Sequence, residues 1–115
     1  MSHQRDKRLQ DALDAIFSIE AFLAEQSLDR FLEHPMLQAA VERKFEIIGE
    51  ALKRAEELDD TIQHWIPELR QIVATRNRII HVYDEVDHLI LWDVVQSELP
   101  GLKAKLITAL DGNPG

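Results

Sequence analysis

"RNRIIHVYDEVD", residues 76–87, places an arginine, an asparagine, a histidine and a tyrosine close together in a segment that otherwise reads as helix. Ile72, Val73, Ile79 and Ile80 flank them with apolar side chains at helical spacing. On a wheel of about 100° per residue, Arg70, Asn77 and His81 fall on one side. Leu69, Ile72, Val73, Ile80 and Tyr83 fall on the other, and Arg76 sits among them. A guanidinium is always charged and costly to bury alone, so an arginine in an apolar stripe calls for a carboxylate, a phosphate or a cleft. In a straight helix Arg76 and His81 point about 140° apart. The long arginine stem covers part of that gap, and a helix ending near Tyr83 changes the angle.

Outward from this stretch, almost everything is helical. Residues 5–25 carry Leu9, Leu13, Ile16, Ile19 and Leu23 on one face. "SLDRFLEHP" interrupts them, and Pro35 suits the first position of a second helix over 35–58. That helix has the clearest stripe: Val41, Phe45, Ile48, Leu52 and Ala55. "ELDDTIQHWIPEL" reads as a polar, proline-containing connection to a third helix starting near Pro67. After Tyr83, Asp84 suits the cap of a fourth helix, with Asp87 in its first turn. Leu91, Val95, Leu99, Leu102, Leu106 and Ala109 continue its face to the end, with a kink expected at Pro100-Gly101 and a frayed "DGNPG" tail. The expected fold is all-α: an antiparallel, up-and-down bundle of four main helices plus short helical turns, in one domain over residues 1–115.

Composition narrows the function. Of 115 residues, 45% are hydrophobic and 30% charged, as in a soluble globular protein. Without cysteine there is no disulfide framework or thiolate metal site, and a reducing compartment fits. The longest apolar runs are four or five residues, and "MSHQRDKRLQ" has no apolar core after its charges. No membrane span and no secretory signal are therefore expected, and the cytoplasm is the expected location. A net charge of −8 argues against strong non-specific nucleic-acid binding, while leaving room for a small basic cleft and for a basic partner.

In the second helix, Gly49 costs about 1 kcal/mol of helix stability relative to alanine, which close helix packing explains. Glu46 and Glu50, four apart, share a side. They form either a solvated acidic face or a partner for an arginine of the third helix. Asp84, His88 and His81 lack a fourth metal ligand, so solvated polar residues are the simpler reading, and no metal or cofactor is expected. His3, His34 and His64 form no pattern, and Trp65 and Trp92 read as packing residues.

The pattern R-x-x-x-x-H resembles the signature of the HEPN superfamily, often with a polar residue after the arginine, as Asn77 is here. The extended form R-x-x-x-x-H-x-Y, here Arg76, His81 and Tyr83, is similar to the HepT toxin branch. "RLQDALDAI" (8–16), "FEIIGEALKR" (45–54) and "VDHLILWDVVQSELPGLKAKL" (86–106) carry the resemblance over nearly the whole chain. It implies a dimerising helical bundle that acts as a metal-independent endoribonuclease through Arg76 and His81, with Asn77 beside them. It also implies an antitoxin partner, a minimal nucleotidyltransferase that attaches AMP to the motif tyrosine, here Tyr83. Val82 stands where relatives commonly have glycine, and a β-branched residue resists the positive φ that glycine takes there.

The implied chemistry suits these groups. RNA is cut without metal when its 2′-hydroxyl attacks the adjacent phosphate, which needs a base, an acid and positive charge at phosphorus. Histidine serves either proton role and arginine the charge. One chain has one motif histidine, and a homodimer apposing two motifs has two. An AMP phosphate on Tyr83 would be drawn to Arg76 and Arg78. Three function classes follow: a toxin ribonuclease acting on RNA; a non-catalytic nucleotide-binding or substrate-binding partner of a minimal nucleotidyltransferase; and a helical dimer used only for assembly.

Overall fold

The computed structural model describes residues 3–81 and 87–111, with side chains up to residue 77 and from residue 87 onward. Its helices are α1 (His3–Leu23), α2 (Leu28–Leu32), α3 (Pro35–Leu58), α4 (Ile62–Trp65), α5 (Glu68–His81), α6 (His88–Ser97) and α7 (Leu99–Leu110). Among the described residues there is no strand. The result is an all-α antiparallel bundle in which α1, α3, α5 and the α6–α7 pair are the long members.

The two strongest stripes make the centre. Leu9, Leu13, Ile16 and Ile19 of α1 meet Val41, Phe45, Ile48, Leu52 and Ala55 of α3, and all nine are buried. Arg5, at the start of α1, reaches Asp59, just past the end of α3, with Nη1 to Oδ2 at 2.8 Å. That contact fixes the antiparallel sense. Its carboxylate also accepts from the Thr61 hydroxyl and backbone N–H. These bonds, the Thr61 hydroxyl first and the Arg5 guanidinium next, hold the Asp59 carboxyl below its ordinary pKa. Leu91, Val95, Leu99, Leu102 and Leu106 close the core from α6 and α7. Lys105 of α7 donates to Glu68 of α5 at 2.9 Å. Burial pushes the Glu68 carboxyl up, but the Lys105 bonds, the backbone bond and the lysine charge together leave it below its ordinary pKa.

Several local features differ from the sequence expectation. The segment between α1 and α3 is itself structured: Ser27 Oγ accepts from Arg30 N to cap α2, which buries Phe31 completely. His34 caps α3, its Nδ1 accepting from Leu37 N at 3.0 Å, and Pro35 opens that helix as expected. The connection between α3 and α5 is less polar than it reads, because Ile62 of α4 and Ile66, the residue just after that helix, are both fully buried in the core. The α6–α7 break falls at Glu98, ahead of Pro100, which occupies the first turn of α7 where a missing N–H is cheap. Asp87 is the N-cap of α6 rather than a first-turn residue, its Oδ1 accepting from Leu89 N and Ile90 N at 3.1 Å each. Asp84, expected as that cap, lies outside the described residues. No helix among the described residues is long and apolar enough to cross a membrane.

Candidate functional site on the α3–α5 face

The site begins with a missing side chain. Gly49 is buried on α3, and a β-carbon built there would stand 2.8 Å from Cγ, 3.0 Å from Cβ and 3.2 Å from Cδ of Arg76. The stem of Arg76 thus lies directly on the α3 backbone, covering it as long cationic side chains cover apolar surface. Ile72 and Leu69, one and two turns earlier on α5, are fully buried.

The head group is held at both ends. Arg76 Nη2 donates to Glu50 Oε1 at 3.2 Å, and Nη1 donates to Asn77 Oδ1 at 3.0 Å. Nε is buried with no hydrogen-bond partner among the described residues. A guanidinium has five N–H donors in a rigid fork. With two engaged and Nε–H covered, two Nη donors remain without a partner among the described residues. The Arg76 side chain is 18% exposed and that of Glu50 49%. Water screens such a pair, so it stabilises the fold by at most about 1 kcal/mol. Its larger effect is orientation.

Of the two carboxylates that share this side of α3, Glu50 meets the arginine from α5, and Glu46 instead accepts from Arg43 on its own helix at 3.0 Å. Asn77 is exposed, as is Arg70, whose Nε donates to Gln63 Oε1 at 2.8 Å. Between Glu68 and Asp84 the sequence carries Arg70, Arg76 and Arg78 and no acidic residue, a local excess of positive charge on a chain of net charge −8. The backbone of His81 is the last residue of α5. The side chains of Arg78 and His81, and all of Val82 and Tyr83, lie outside the description.

One contact near this site had no sequence signal. His88 Nε2 lies 2.8 Å from Glu42 Oε2, joining the first residue of α6 to α3 across 46 positions of sequence. Among the described residues no cluster of three His, Cys, Asp or Glu side chains is arranged to hold a metal ion.

Residues 12–109 match the family described as "Ribonuclease HepT-like". A relative from Thermococcus cleftensis, named "Probable ribonuclease HepT", is 36% identical over 107 residues, covering 91% of this chain and 94% of its own. Two relatives from Methanocaldococcus jannaschii carry the names "Putative RNase MJ1216" and "Putative RNase MJ1380". The first is 30% identical, covering 90% of this chain and 88% of its own. The second is 28% identical, covering 85% and 89%. No solved structure gives a significant match.

Proposed function

The chain belongs to the HepT-like ribonuclease family, and from that premise we propose that it is the toxin of a toxin–antitoxin pair, a metal-independent endoribonuclease acting through Arg76 and His81. The observation that carries the proposal is the Arg76 guanidinium, laid on Gly49 and held by Glu50 and Asn77, with two Nη donors that have no partner among the described residues and suit a phosphate. Arginine in that state recognises phosphate with charge-assisted hydrogen bonds.

In the proposed reaction a histidine takes the proton of the RNA 2′-hydroxyl, and the 2′-oxygen forms a bond to the adjacent phosphorus. The bond from phosphorus to the 5′-oxygen breaks, and a second proton-transfer group protonates that oxygen. The products are a 2′,3′-cyclic phosphate and a 5′-hydroxyl. Arg76 and the neighbouring Arg78 balance the charge that builds on the phosphoryl oxygens, and Asn77 keeps the guanidinium in plane. His81 supplies one proton role, and a second copy of the chain, facing the first across a homodimer interface, supplies the other.

Control acts at the same place. A minimal nucleotidyltransferase antitoxin transfers AMP to the Tyr83 hydroxyl, and the new phosphate occupies Arg76 and Arg78 while the base and ribose block entry. The test is induced expression of the chain and of His81→Ala, with growth and RNA integrity followed together. Arrest with RNA breakdown in the first and neither in the second supports the proposal. Equal arrest in both removes the nuclease and favours a binding partner of the nucleotidyltransferase.

A further inference from the structure

Glu50 belongs to two features at once. Its Oε1 accepts from Arg76 of α5, and the same residue lines a groove of about 240 Å³ between α1 and α3. Arg8, Asp11 and Asp14 stand on the α1 side of that groove, and Lys44 and Arg54 stand with Glu50 on the α3 side. Lys44 and Arg54 are ten residues apart, so they are separated by about 15 Å along the α3 axis. Each is five residues from Gly49, and together they flank the level of Arg76. Arg8 and Arg54 also line the next depression, about 410 Å³, with Lys7 and Glu57. The groove thus continues past them, as a polymer needs and a small ligand does not.

The charges of the groove are not balanced within it. Asp11 accepts from Arg8 at 3.4 Å, Asp14 accepts from Gln10 at 2.8 Å, and Glu50 holds Arg76. Each of its three carboxylates therefore has a donor. Lys44, half-buried, and Arg54, exposed, have no ion pair or side-chain hydrogen bond among the described residues. On a chain of net charge −8, these two cations are a local positive feature, and the partly desolvated one gains most from an incoming anion. Among the described residues no aromatic side chain lines the groove, so it offers charge for a phosphate backbone and no platform for bases.

We propose that the α1–α3 groove holds the RNA strand next to the cleaved phosphate, with Lys44 and Arg54 binding its backbone phosphates. The choice of RNA as occupant rests on the ribonuclease reading. The strand passes from Arg76 into the groove across Glu50, whose charge the arginine already engages. Contacts of this kind position a strand and carry no base specificity.

The experiment uses the full chain carrying His81→Ala, and measures by fluorescence anisotropy its affinity for single-stranded oligouridylate and oligoadenylate over a range of salt. Lys44→Gln, Arg54→Gln and the double variant keep long stems and lose charge. Arg30→Gln is the control, because Arg30 is exposed on α2, outside the groove, and has no ion pair among the described residues. Circular dichroism first establishes that each variant is folded. Each single variant should lower the slope of log affinity against log salt by about 0.7, and the double variant by about twice that. At about 0.1 M salt the double variant should raise Kd roughly tenfold or more, equally for both oligonucleotides, and Arg30→Gln should change neither quantity. With His81 intact, the double variant should lose cleavage through KM rather than kcat. A double variant that binds and cuts RNA like the wild type overturns the proposal and leaves the ribonuclease reading standing; if it also escapes a nucleotidyltransferase antitoxin, the groove belongs to that partner instead. A loss matched by Arg30→Gln, or a raised Kd with an unchanged slope, overturns it as well, since net charge or altered shape is then the cause. A chain that binds with the expected slopes but cuts no RNA overturns the ribonuclease reading while the groove stands, and a chain that binds no RNA overturns both.

Discussion

Gly49 and Arg76 are in contact through the one position on α3 that has no side chain: a β-carbon there would stand 2.8 Å from the arginine Cγ. The atoms it would meet are the inner stem of Arg76, close to the α5 backbone, so the arginine cannot swing aside without the helices parting. Gly49→Ala gains about 1 kcal/mol of helix propensity and loses about 1–3 kcal/mol to overpacking. The melting temperature should fall modestly, while cleavage falls tenfold or more as Arg76 leaves Glu50. Measuring Tm and kcat/KM on the same preparation checks this, and full activity in Gly49→Ala would show that close approach does not set the arginine.

Arg76→Lys separates charge from shape. Lysine keeps a positive charge but has no planar fork to span Glu50, Asn77 and a phosphate together. Cleavage by Arg76→Lys should therefore drop nearly as far as in Arg76→Ala, by about 100-fold or more, as when a transition-state donor is removed elsewhere. A lysine variant within a few-fold of wild type would mean that charge alone suffices.

Acid should destabilise the bundle through Asp59 and Glu68, both held below their ordinary pKa in the folded chain. A depressed carboxyl contributes stability above its unfolded value, about 4, and that contribution is lost as pH falls through the folded value. Tm should thus decline below about pH 4. Asp59→Asn should start lower at neutral pH and decline less steeply, and a parallel decline would exclude Asp59 as a source.

Tyr83→Phe keeps the ring and removes the hydroxyl that would accept AMP. Co-expressed with a cognate minimal nucleotidyltransferase, the wild-type chain should gain the mass of one adenylyl group and the variant none, and the variant should remain toxic. An unmodified chain in a neutralised complex would show that the partner acts by binding alone.

The stripes of α1 and α3 were legible because both helices are long enough for a period of 3.6 to repeat, and every apolar residue expected on α3 is buried. α4 was not, since a helix of four residues has no period, and Ile62 stands between Thr61 and Gln63 while Ile66 adjoins Pro67. His34 gave no signal either: histidine is an unusual N-cap, and its role depends on the ring nitrogen reaching Leu37 N. At the site, the sequence marked Gly49 for close packing and Arg76 for a buried-side partner. It left Glu46 and Glu50 equivalent, and only the register of α5 on α3 separates them. Glu42 and His88 were beyond reach, because a contact across 46 residues has no local pattern.

The most direct measurement of the central claim is cleavage of RNA by the purified chain in EDTA, with Arg76→Ala and His81→Ala prepared identically and the product ends determined. The account predicts that the wild-type chain cuts in EDTA and leaves 2′,3′-cyclic phosphates, and that both variants, still folded, lose activity by 100-fold or more, on the order expected for loss of an acid–base or charge-stabilising group. Activity that disappears in EDTA and returns with a divalent ion, or that survives in either variant, would contradict it.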